Sequence, residues 1–172
     1  MSKVCIVTGA SRGMGYGIAK VLAEEEGATV YATARSKQAL DDLSASTKGN
    51  SGVIYPCVLD QADDGAVEKF VLNVMAKEKQ IDLLVNSAYG GLAAIAPHFG
   101  KPFWERPVSV FDASMNIGLR SAFVMSKFVA PHMVKNKSGL MVQVSSFGGH
   151  GYLFDVGYGV GKAGLDRLSA DM

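Results

Sequence analysis

Short apolar segments rich in β-branched residues alternate along this chain with longer amphipathic segments. The strand-like segments lie at residues 3–8, 28–34, 53–59, 81–86 and 139–145. Such alternation is typical of βαβ units, in which helices cover both faces of a parallel sheet. We therefore predict an α/β fold with a doubly wound parallel sheet in three layers, α/β/α, formed by a single domain over residues 1–172.

The helix-like segments are bounded by residues with known capping preferences. They lie at residues 15–26, 37–46, 63–79 and 109–134, and a last one begins near Tyr158. Gly27 follows the first as a stop signal, Ser36 precedes the second as an N-cap, and Ser109 begins a Ser-Val-Phe-Asp capping box. The segments between these elements are a polar turn and two irregular stretches, at residues 48–52, 87–107 and 147–157.

Composition and charge exclude several classes of function. Hydrophobic residues make up 48% of the chain and charged residues 19%, as in ordinary globular domains. The 17 Lys and Arg residues nearly balance 16 Asp and Glu residues, which gives no support to binding of nucleic acid or a membrane surface. No apolar run approaches the roughly 18 residues of a membrane span, and no secretory signal is recognisable. We expect a cytoplasmic protein, with membrane association through additional C-terminal residues left open.

The two cysteines give no sign of a metal or redox site. Cys5 and Cys57 each lie inside an apolar strand-like segment, without CxxC or Cys/His ligand spacing. We interpret both as reduced core residues, which fits a reducing compartment, and we expect no bound metal.

A glycine-rich turn joins the first strand to the first helix. It reads Thr8-Gly-Ala-Ser-Arg-Gly-Met-Gly15. Glycines let backbone N–H groups approach a pyrophosphate, and the positive end of the helix dipole adds to the attraction. The spacing differs from the G-x-G-x-x-G fingerprint, and the alternative is a glycine-rich turn without a ligand. We predict that a dinucleotide binds through Gly9, Ser11, Arg12, Gly13, Met14 and Gly15.

The ends of the next strands indicate which dinucleotide binds. An acidic residue at the tip of the second strand binds a ribose 2′-hydroxyl, whereas an arginine accommodates a 2′-phosphate. That strand runs into Arg35 with no acid at its tip, and Arg12 supplies a second cation. We therefore predict NADP(H) rather than NAD(H). Asp60, after the third strand, either accepts a hydrogen bond from the adenine amino group or caps the next turn.

Tyr158 and Lys162 have the i,i+4 spacing of neighbours on one helix face. A nearby ammonium favours the phenolate, so such a tyrosine can donate a proton to a carbonyl or accept one from an alcohol. The spacing alone occurs by chance in many helices. Its significance depends on the predicted dinucleotide turn near the N-terminus.

These features together resemble the short-chain dehydrogenase/reductase family, of the classical type, over residues 3–172. The glycine-rich turn matches the family's T-G-x-x-x-G-x-G, and Tyr158 and Lys162 match its Y-x-x-x-K. Asn86 begins a segment similar to the N-N-A-G motif of strand four, with Ser87 and the inserted Tyr89 as departures.

Two further positions carry the resemblance. Asn116 falls where the family has its helix asparagine, and Ser145-Ser146 matches the serine pair that ends strand five. In many members the active serine lies thirteen residues before the tyrosine, which is the offset of Ser145. The second serine of the pair is the usual one by motif, so we predict Ser146 and keep Ser145 as the alternative.

The resemblance implies a Rossmann-type fold and hydride transfer between NADP(H) and a carbonyl or secondary alcohol, such as a steroid or xenobiotic ketone. Tyr158 would be the general acid or base, and Lys162 would hold the nicotinamide ribose. Ser146 would hydrogen-bond the substrate oxygen. Asn116 would hold a water that links Lys162 to solvent, and Asn86 would belong to the cofactor site.

Other residues near the predicted site have a more ordinary interpretation. His150 and Asp155 invite a hydrolase triad with Ser146, but the G-x-S-x-G elbow is absent. We interpret both as exposed loop residues. Phe103 and Trp104 either line a hydrophobic substrate pocket or anchor the loop that contains them.

Members of the family continue with a sixth and a seventh strand, so we expect this chain to be truncated. We also expect a full-length protein to form a homodimer or homotetramer. Two hypotheses follow. Either the chain is the N-terminal part of an NADP-dependent carbonyl reductase, or it is a non-catalytic dinucleotide-binding or interaction module. A sugar-nucleotide epimerase is disfavoured by the spacing of the glycine-rich turn.

Overall fold

Five parallel strands form the sheet at the centre of the structure. The computed structural model describes residues 2–47, 49 and 51–172, so part of the turn predicted at 48–52 lies outside the described residues. The strands are β1 (Val4–Thr8), β2 (Thr29–Ala34), β3 (Val53–Val58), β4 (Leu83–Asn86) and β5 (Leu140–Gln143). Their order in the sheet is β3-β2-β1-β4-β5, and all neighbours are parallel.

The strand order reverses at β1, as the predicted doubly wound sheet requires. The chain runs outward from β1 through β2 to β3 and then returns to place β4 on the other side of β1. In such sheets, ligands bind outside the carboxyl ends of the strands at the point of reversal. The topology therefore predicts a ligand site at the loops that follow β1 and β4.

Helices cover both faces of the sheet. They are α1 (Gly13–Glu24), α2 (Lys37–Ser46), α3 (Asp64–Glu78), α4 (Gly91–Ile95), α5 (Val108–Ser114), α6 (Ser121–Asn136) and α7 (Val156–Asp171). One buried cluster, which includes Ile6 and Leu84, joins the sheet to α3 and α6. A second cluster on the opposite face, which includes Val7 and Val30, joins it to α1 and α2. Because neighbouring strand residues point to opposite faces, two cores form, and the predicted three layers are confirmed.

The long helix predicted over 109–134 is wrong in two respects. Its capping box does not form, because α5 begins at Val108 directly after Pro107, and Ser109 lies inside the helix. The helix is also interrupted, because residues 117 and 118 have non-helical backbone angles in the segment Met115–Arg120. There the Ile117 carbonyl accepts a 2.7 Å hydrogen bond from the Gly90 amide, a partner outside the helix that the local sequence does not indicate.

The other boundaries follow the sequence more closely. Ser36 caps α2, and its hydroxyl accepts a 3.4 Å bond from the Ala39 amide. The last helix begins at Val156, two residues earlier than predicted, and the irregular stretch 87–107 contains the short helix α4. Among the described residues, none of the helices combines the length and the apolar composition that crossing a bilayer requires.

Candidate active site

The glycine-rich turn is fixed against the end of β4. Thr8 Oγ1 accepts hydrogen bonds of 3.0 and 3.1 Å from the amides of Ser87 and Ala88. Gly9 has φ +69°, and a Cβ at this position would lie 2.7 Å from the Ala88 Cα. A Cβ on Gly15 would lie 2.5 Å from the Gly9 carbonyl oxygen. Both glycines are therefore required by close backbone contacts, Gly9 with the segment after β4 and Gly15 with the turn itself, before any ligand is considered.

The start of α1 has the features of an anion site. Gly13 has φ +59° and faces open space, since a Cβ there would meet nothing within 4 Å. Arg12 precedes the helix without a side-chain hydrogen bond to its first turn. Ser11, Arg12 and Met14 are partly or fully exposed around this space. The uncapped N–H groups and the positive helix end fit a pyrophosphate.

Arg35 and Asp60 lie just after the carboxyl ends of β2 and β3. Both residues are exposed. In the described part of the chain, neither Arg35 nor Arg12 forms an ion pair. The Asp60 carboxylate accepts a 2.9 Å bond from the Ala62 amide, so it does cap the next turn. An additional contact from Asp60 to adenine stays a prediction.

Asn86 is directed into the protein rather than towards the open space beside α1. It is 5% exposed. Its Nδ2 donates bonds of 3.1 Å to Ser126 Oγ and 3.4 Å to the Ala122 carbonyl, both on α6. Its Oδ1 is buried without a partner among the described residues. The Asn86 side chain thus joins β4 to α6, and its assignment to the cofactor site stays a prediction that no contact here supports.

Ser146 and Tyr158 are brought together by the loop between β5 and α7. The Tyr158 hydroxyl donates a 2.8 Å hydrogen bond to Ser146 Oγ. Ser145 points elsewhere, and its hydroxyl donates to the Lys162 carbonyl at 3.3 Å. Gly148 lets the loop pack against the phenol, because a Cβ there would lie 2.5 Å from the Tyr158 ring. Of the two serines, Ser146 is the one that contacts the tyrosine hydroxyl.

Lys162 is a buried ammonium beside two aromatic rings. Its side chain donates a 2.6 Å bond to the Val144 carbonyl, and the residue is 8% exposed. Burial lowers the pKa of Lys162, and the more distant Asp166 carboxylate opposes that effect. The ammonium nitrogen lies 5.7 Å from the centre of the Tyr158 ring and 5.4 Å from that of Tyr89. A positive charge is therefore held beside the phenol.

Asn116 lies in the irregular segment between α5 and α6. It is exposed, and its carbonyl accepts the bond from the Ser121 amide that starts α6. The segment is a kink between the two helices, because the backbone at Ile117 and Gly118 is not helical. The structure does not bring the Asn116 side chain into a hydrogen bond with Lys162 among the described residues, so its water-holding role stays a prediction.

Sequence reasoning did not assign a role to Tyr89, the residue inserted into the strand-four motif. Its ring packs edge-to-face on Tyr158 at 5.4 Å, and its hydroxyl lies 3.0 Å from Ser114 Oγ. Burial raises the pKa of Tyr89. A large aromatic residue in place of a small-residue motif position was the signal available in the sequence.

Arg106 was also missed, and the interpretation of Asp155 as an exposed loop residue is wrong. The two side chains form an ion pair of 2.7 Å and are each 5% exposed. His150, by contrast, is exposed as expected, and its nearest carboxylate is Asp166 at 3.6 Å. Because the Asp155 carboxylate bonds to Arg106 and to the start of α7, it is not available for a triad with Ser146.

The polar groups of this site are hydroxyls, an ammonium and the start of a helix. Within residues 2–47, 49 and 51–172, no group of three or more His, Cys, Asp or Glu side chains is placed to hold a metal ion. The Tyr158 and Ser146 hydroxyls lie together beside the Lys162 ammonium, and the uncapped start of α1 follows β1. This set fits an organic anion and a proton-transfer step.

The chain is similar to known proteins over nearly its whole length. The family model described as short chain dehydrogenase matches residues 3–172. Dehydrogenase/reductase SDR family member 1 of Mus musculus is 44% identical over 170 residues, which are 98% of this chain and 54% of that relative. A metagenomic short-chain oxidoreductase in complex with NADP has a TM-score of 0.87 and 29% identity, over 98% of this chain and 74% of that one.

A second solved structure, an NAD⁺-bound xylitol dehydrogenase, also has a TM-score of 0.87, with 27% identity over 98% of this chain and 63% of that one. The chain thus spans about half the length of the mouse relative, 54%, and a larger share of the two structures. The family match extends over nearly all of the residues present, including the turn after β1 and both ends of the Tyr158–Lys162 helix face. The chain belongs to the short chain dehydrogenase family.

Proposed function

We propose that the protein is an NADP-dependent oxidoreductase that acts on a carbonyl or secondary alcohol. The observation that carries the proposal is the 2.8 Å bond between the hydroxyls of Tyr158 and Ser146, with the buried Lys162 ammonium beside the phenol ring. A bound nicotinamide dinucleotide would supply or accept the hydride. The residues of the chain would orient the substrate and move the proton.

Tyr158 and Ser146 are proposed to act on the same substrate oxygen. Their hydroxyls bond to each other, so an oxygen that inserts between them is within reach of both. In carbonyl reduction, the Tyr158 hydroxyl donates its proton to that oxygen while the Ser146 hydroxyl stabilises the developing negative charge. In alcohol oxidation, the Tyr158 phenolate accepts the proton.

Lys162 is proposed to support the tyrosine and to hold the nicotinamide ribose. Its ammonium favours the phenolate form of Tyr158 through charge. Burial lowers the pKa of Lys162, which makes this ammonium a better proton donor than an exposed lysine. Asn116 would connect this lysine to solvent through a bound water.

The preference for NADP over NAD is supported by charge rather than by fold. Relatives of the same fold are bound to NADP in one structure and to NAD⁺ in another. In this chain, Arg12 and Arg35 lie after β1 and β2, exposed and without ion-pair partners among the described residues. Two cations at this position match a 2′-phosphate.

The surface beside the proton donor supports a hydrophobic substrate. The Phe154 ring packs edge-to-face on Tyr158 at 5.6 Å, and Phe99 continues the row at 6.0 Å from Phe154. Phe99 is 50% and Phe154 44% exposed, so part of each ring is available for contact. We therefore infer an apolar ketone or alcohol; a steroid or xenobiotic ketone is the class that the family resemblance suggests.

We also expect a cytoplasmic homodimer or homotetramer. Exposed apolar side chains on α6 and α7 support self-association, and they include Phe123, Val134 and Val160. Light scattering on the purified protein would measure the mass. A monomer at micromolar concentration would contradict this expectation.

The test of the proposed function is NADPH oxidation with a panel of hydrophobic ketones. Tyr158→Phe removes the proton donor and is expected to lower kcat by about 10²- to 10⁴-fold, while NADPH affinity stays within about twofold because the ring remains. Tyr16→Phe is the matched control, since Tyr16 lies on α1 with its hydroxyl 3.5 Å from Ser46 Oγ, outside the proposed catalytic group. Its kcat is expected to equal that of the wild type.

Two outcomes would overturn the proposal. Unaltered turnover in Tyr158→Phe would remove Tyr158 from the mechanism. NADPH binding without turnover of any ketone or alcohol in the panel would favour the second hypothesis, a non-catalytic dinucleotide-binding module.

A further inference from the structure

Arg106 connects the loop before α5 to the segment that leads into α7. Its Nε donates a 2.9 Å bond to the Lys101 carbonyl within its own loop. Its Nη1 donates bonds of 3.1 Å to the Phe154 carbonyl and 2.7 Å to Asp155 Oδ2. One guanidinium thus bonds to two segments that are about fifty residues apart in sequence.

Asp155 links Arg106 to the backbone of Tyr158. While Oδ2 accepts from Arg106, Oδ1 accepts bonds of 2.7 Å from the Gly157 amide and 3.3 Å from the Tyr158 amide. Asp155 is therefore the N-cap of α7 and fixes the backbone of Tyr158 directly. Because both charged side chains are 5% exposed, each depends on the other for a counter-charge in a buried position.

Phe154 provides a second connection to the tyrosine. It has φ +67°, a left-handed conformation that is unfavourable for a residue with a side chain. The Arg106 bond to its carbonyl stabilises this conformation, which places the Phe154 ring 5.6 Å from the Tyr158 ring. Unfavourable backbone geometry that is held by specific contacts is often found where a side chain must be placed accurately.

We propose that Arg106 is a positioning residue for Tyr158, acting through Asp155 and Phe154. Arg106 holds three parts of the structure together: the N-cap of α7, the Phe154 ring beside the phenol, and the loop 101–107. The kinetic part of this inference rests on the proposed function, whereas the structural part does not. The hydrogen bonds of Arg106 go to Lys101, Phe154 and Asp155, so it acts through these residues and is not proposed as a catalytic residue.

The kinetic test compares Arg106→Met with Arg167→Met. Arg167 also lies in an ion pair of α7, with Asp171, but that pair is exposed. A small displacement of a catalytic group costs up to about a hundredfold in rate. We expect Arg106→Met to lower kcat by about 10- to 100-fold with KM for NADPH within about twofold, and Arg167→Met to change neither. Arg106→Lys keeps the charge and should recover part of kcat.

The structural test is amide hydrogen exchange at Gly157 and Tyr158, which requires no turnover. Exchange at both amides should be at least about tenfold faster in Arg106→Met than in Arg167→Met, because the cap loses the charge that holds it. Asp155→Asn keeps an acceptor at the cap and removes the ion pair, so it serves where Arg106→Met does not fold. Asp155→Asn is expected to accelerate exchange at both amides as well, by a smaller factor.

The outcomes separate the two proposals. No turnover in the wild type would overturn the proposed function, and the exchange rates would still decide the role of Arg106. Turnover with kcat unchanged in folded Arg106→Met and Asp155→Asn, or exchange at Gly157 and Tyr158 equal to that of Arg167→Met, would overturn the positioning role. A kcat that falls only in proportion to the folded fraction would also overturn it.

Discussion

The Tyr158 hydroxyl depends on contacts from several parts of the chain. Ser146 accepts its hydrogen bond, while Tyr89 and Phe154 pack edge-to-face on the ring at 5.4 and 5.6 Å. The Lys162 ammonium lies 5.7 Å from the ring centre. At the scale of the residue, a phenol with few rotamers is held in one position, as the proposed proton transfer requires.

At the same scale, the proposed preference for NADP(H) leads to a prediction about Arg35. We expect Arg35→Asp to weaken NADPH binding by about 10- to 100-fold, because a charge-assisted hydrogen bond to the 2′-phosphate is lost and repulsion replaces it. NADH affinity should stay the same or rise, since an acid at this position accepts from the ribose 2′-hydroxyl. Fluorescence titration with each dinucleotide measures both constants.

Lys37→Asp is the control for a general effect of charge. Lys37 is two residues further along, at the start of α2, and its side chain is 75% exposed. Its substitution should change NADPH affinity by only a small factor because exposed charges are screened. Equal affinity of the wild type for NADPH and NADH would refute the assignment of Arg35.

At the scale of the element, the break between α5 and α6 is the clearest departure from a regular helix. The Ile117 carbonyl bonds to the Gly90 amide, which connects the helix to the segment after β4. Asn116 lies directly before the two residues with non-helical backbone angles. Gly118 at the break is a weak local signal, since glycine disfavours a helix interior. The partner of the Ile117 carbonyl lies 27 residues away and could not be predicted from the local sequence.

The turn before α1 permits a prediction about backbone geometry. Gly9→Ala should lower the free energy of unfolding by about 3 kcal/mol or more, because it combines a left-handed conformation with overpacking against Ala88. Gly13→Ala also has positive φ, but its Cβ meets open space, so it should cost only about 1 kcal/mol. Urea unfolding of both variants measures the difference.

Gly13→Ala, the less destabilising of the two variants, should nevertheless weaken ligand binding. The Cβ of Gly13→Ala would enter the open space beside the start of α1, so this variant should lose NADPH affinity while it remains folded. Equal stability of the two variants would mean that the contact between Gly9 and Ala88 does not constrain the turn.

At the scale of the whole molecule, the parallel sheet gathers chemistry from distant parts of the sequence. The segments after β1, β2, β3, β4 and β5 follow the carboxyl ends of strands that all run in one direction. Arg12, Arg35, Asp60 and Ser146 therefore lie along the same edge of the sheet. The order of the strands sets how these residues are distributed along that edge.

Buried thiols make the stability of the whole molecule sensitive to alkaline pH. Burial raises the pKa of Cys5 from 9.0 to about 11. The unfolded thiol ionises above pH 9 while the folded one stays protonated, so stability present below pH 9 is lost as the pH rises to 11. Since Cys5 is 2% exposed, this loss reaches about 3 kcal/mol, at about 1.4 kcal/mol per pH unit.

Other groups modify this dependence. Burial also raises the pKa of Cys57 and Tyr31, which act in the same direction. Burial lowers the pKa of Lys162, so burying its ammonium costs stability. That cost is lost as the pH rises and the lysine gives up its proton. Lys162 therefore acts in the direction opposite to the thiols. Urea unfolding between pH 8 and 11 should give a steeper decline for the wild type than for Cys5→Ala. Parallel curves would show that Cys5 does not titrate differently on folding.

The sequence by itself determined most of the elements, the strand-helix alternation and which residues are the candidate reacting groups. Apolar periodicity specifies which segments can be buried in a two-faced sheet, and the glycine spacing and the Tyr158/Lys162 spacing are local enough to be read from neighbouring residues. The capping role of Ser36 was predictable for the same reason, because an N-cap contacts only the next turn.

Only the tertiary structure decided the surroundings of those groups. Asp155 looked like an exposed loop residue because its partner, Arg106, is 49 positions away. Ser146 rather than Ser145 reaches Tyr158 because of the path of a loop, and Asn86 bonds to α6 because of how that helix packs. Burial, ion pairing and accurate placement depend on contacts between residues distant in sequence, and local pattern does not encode which distant residues meet.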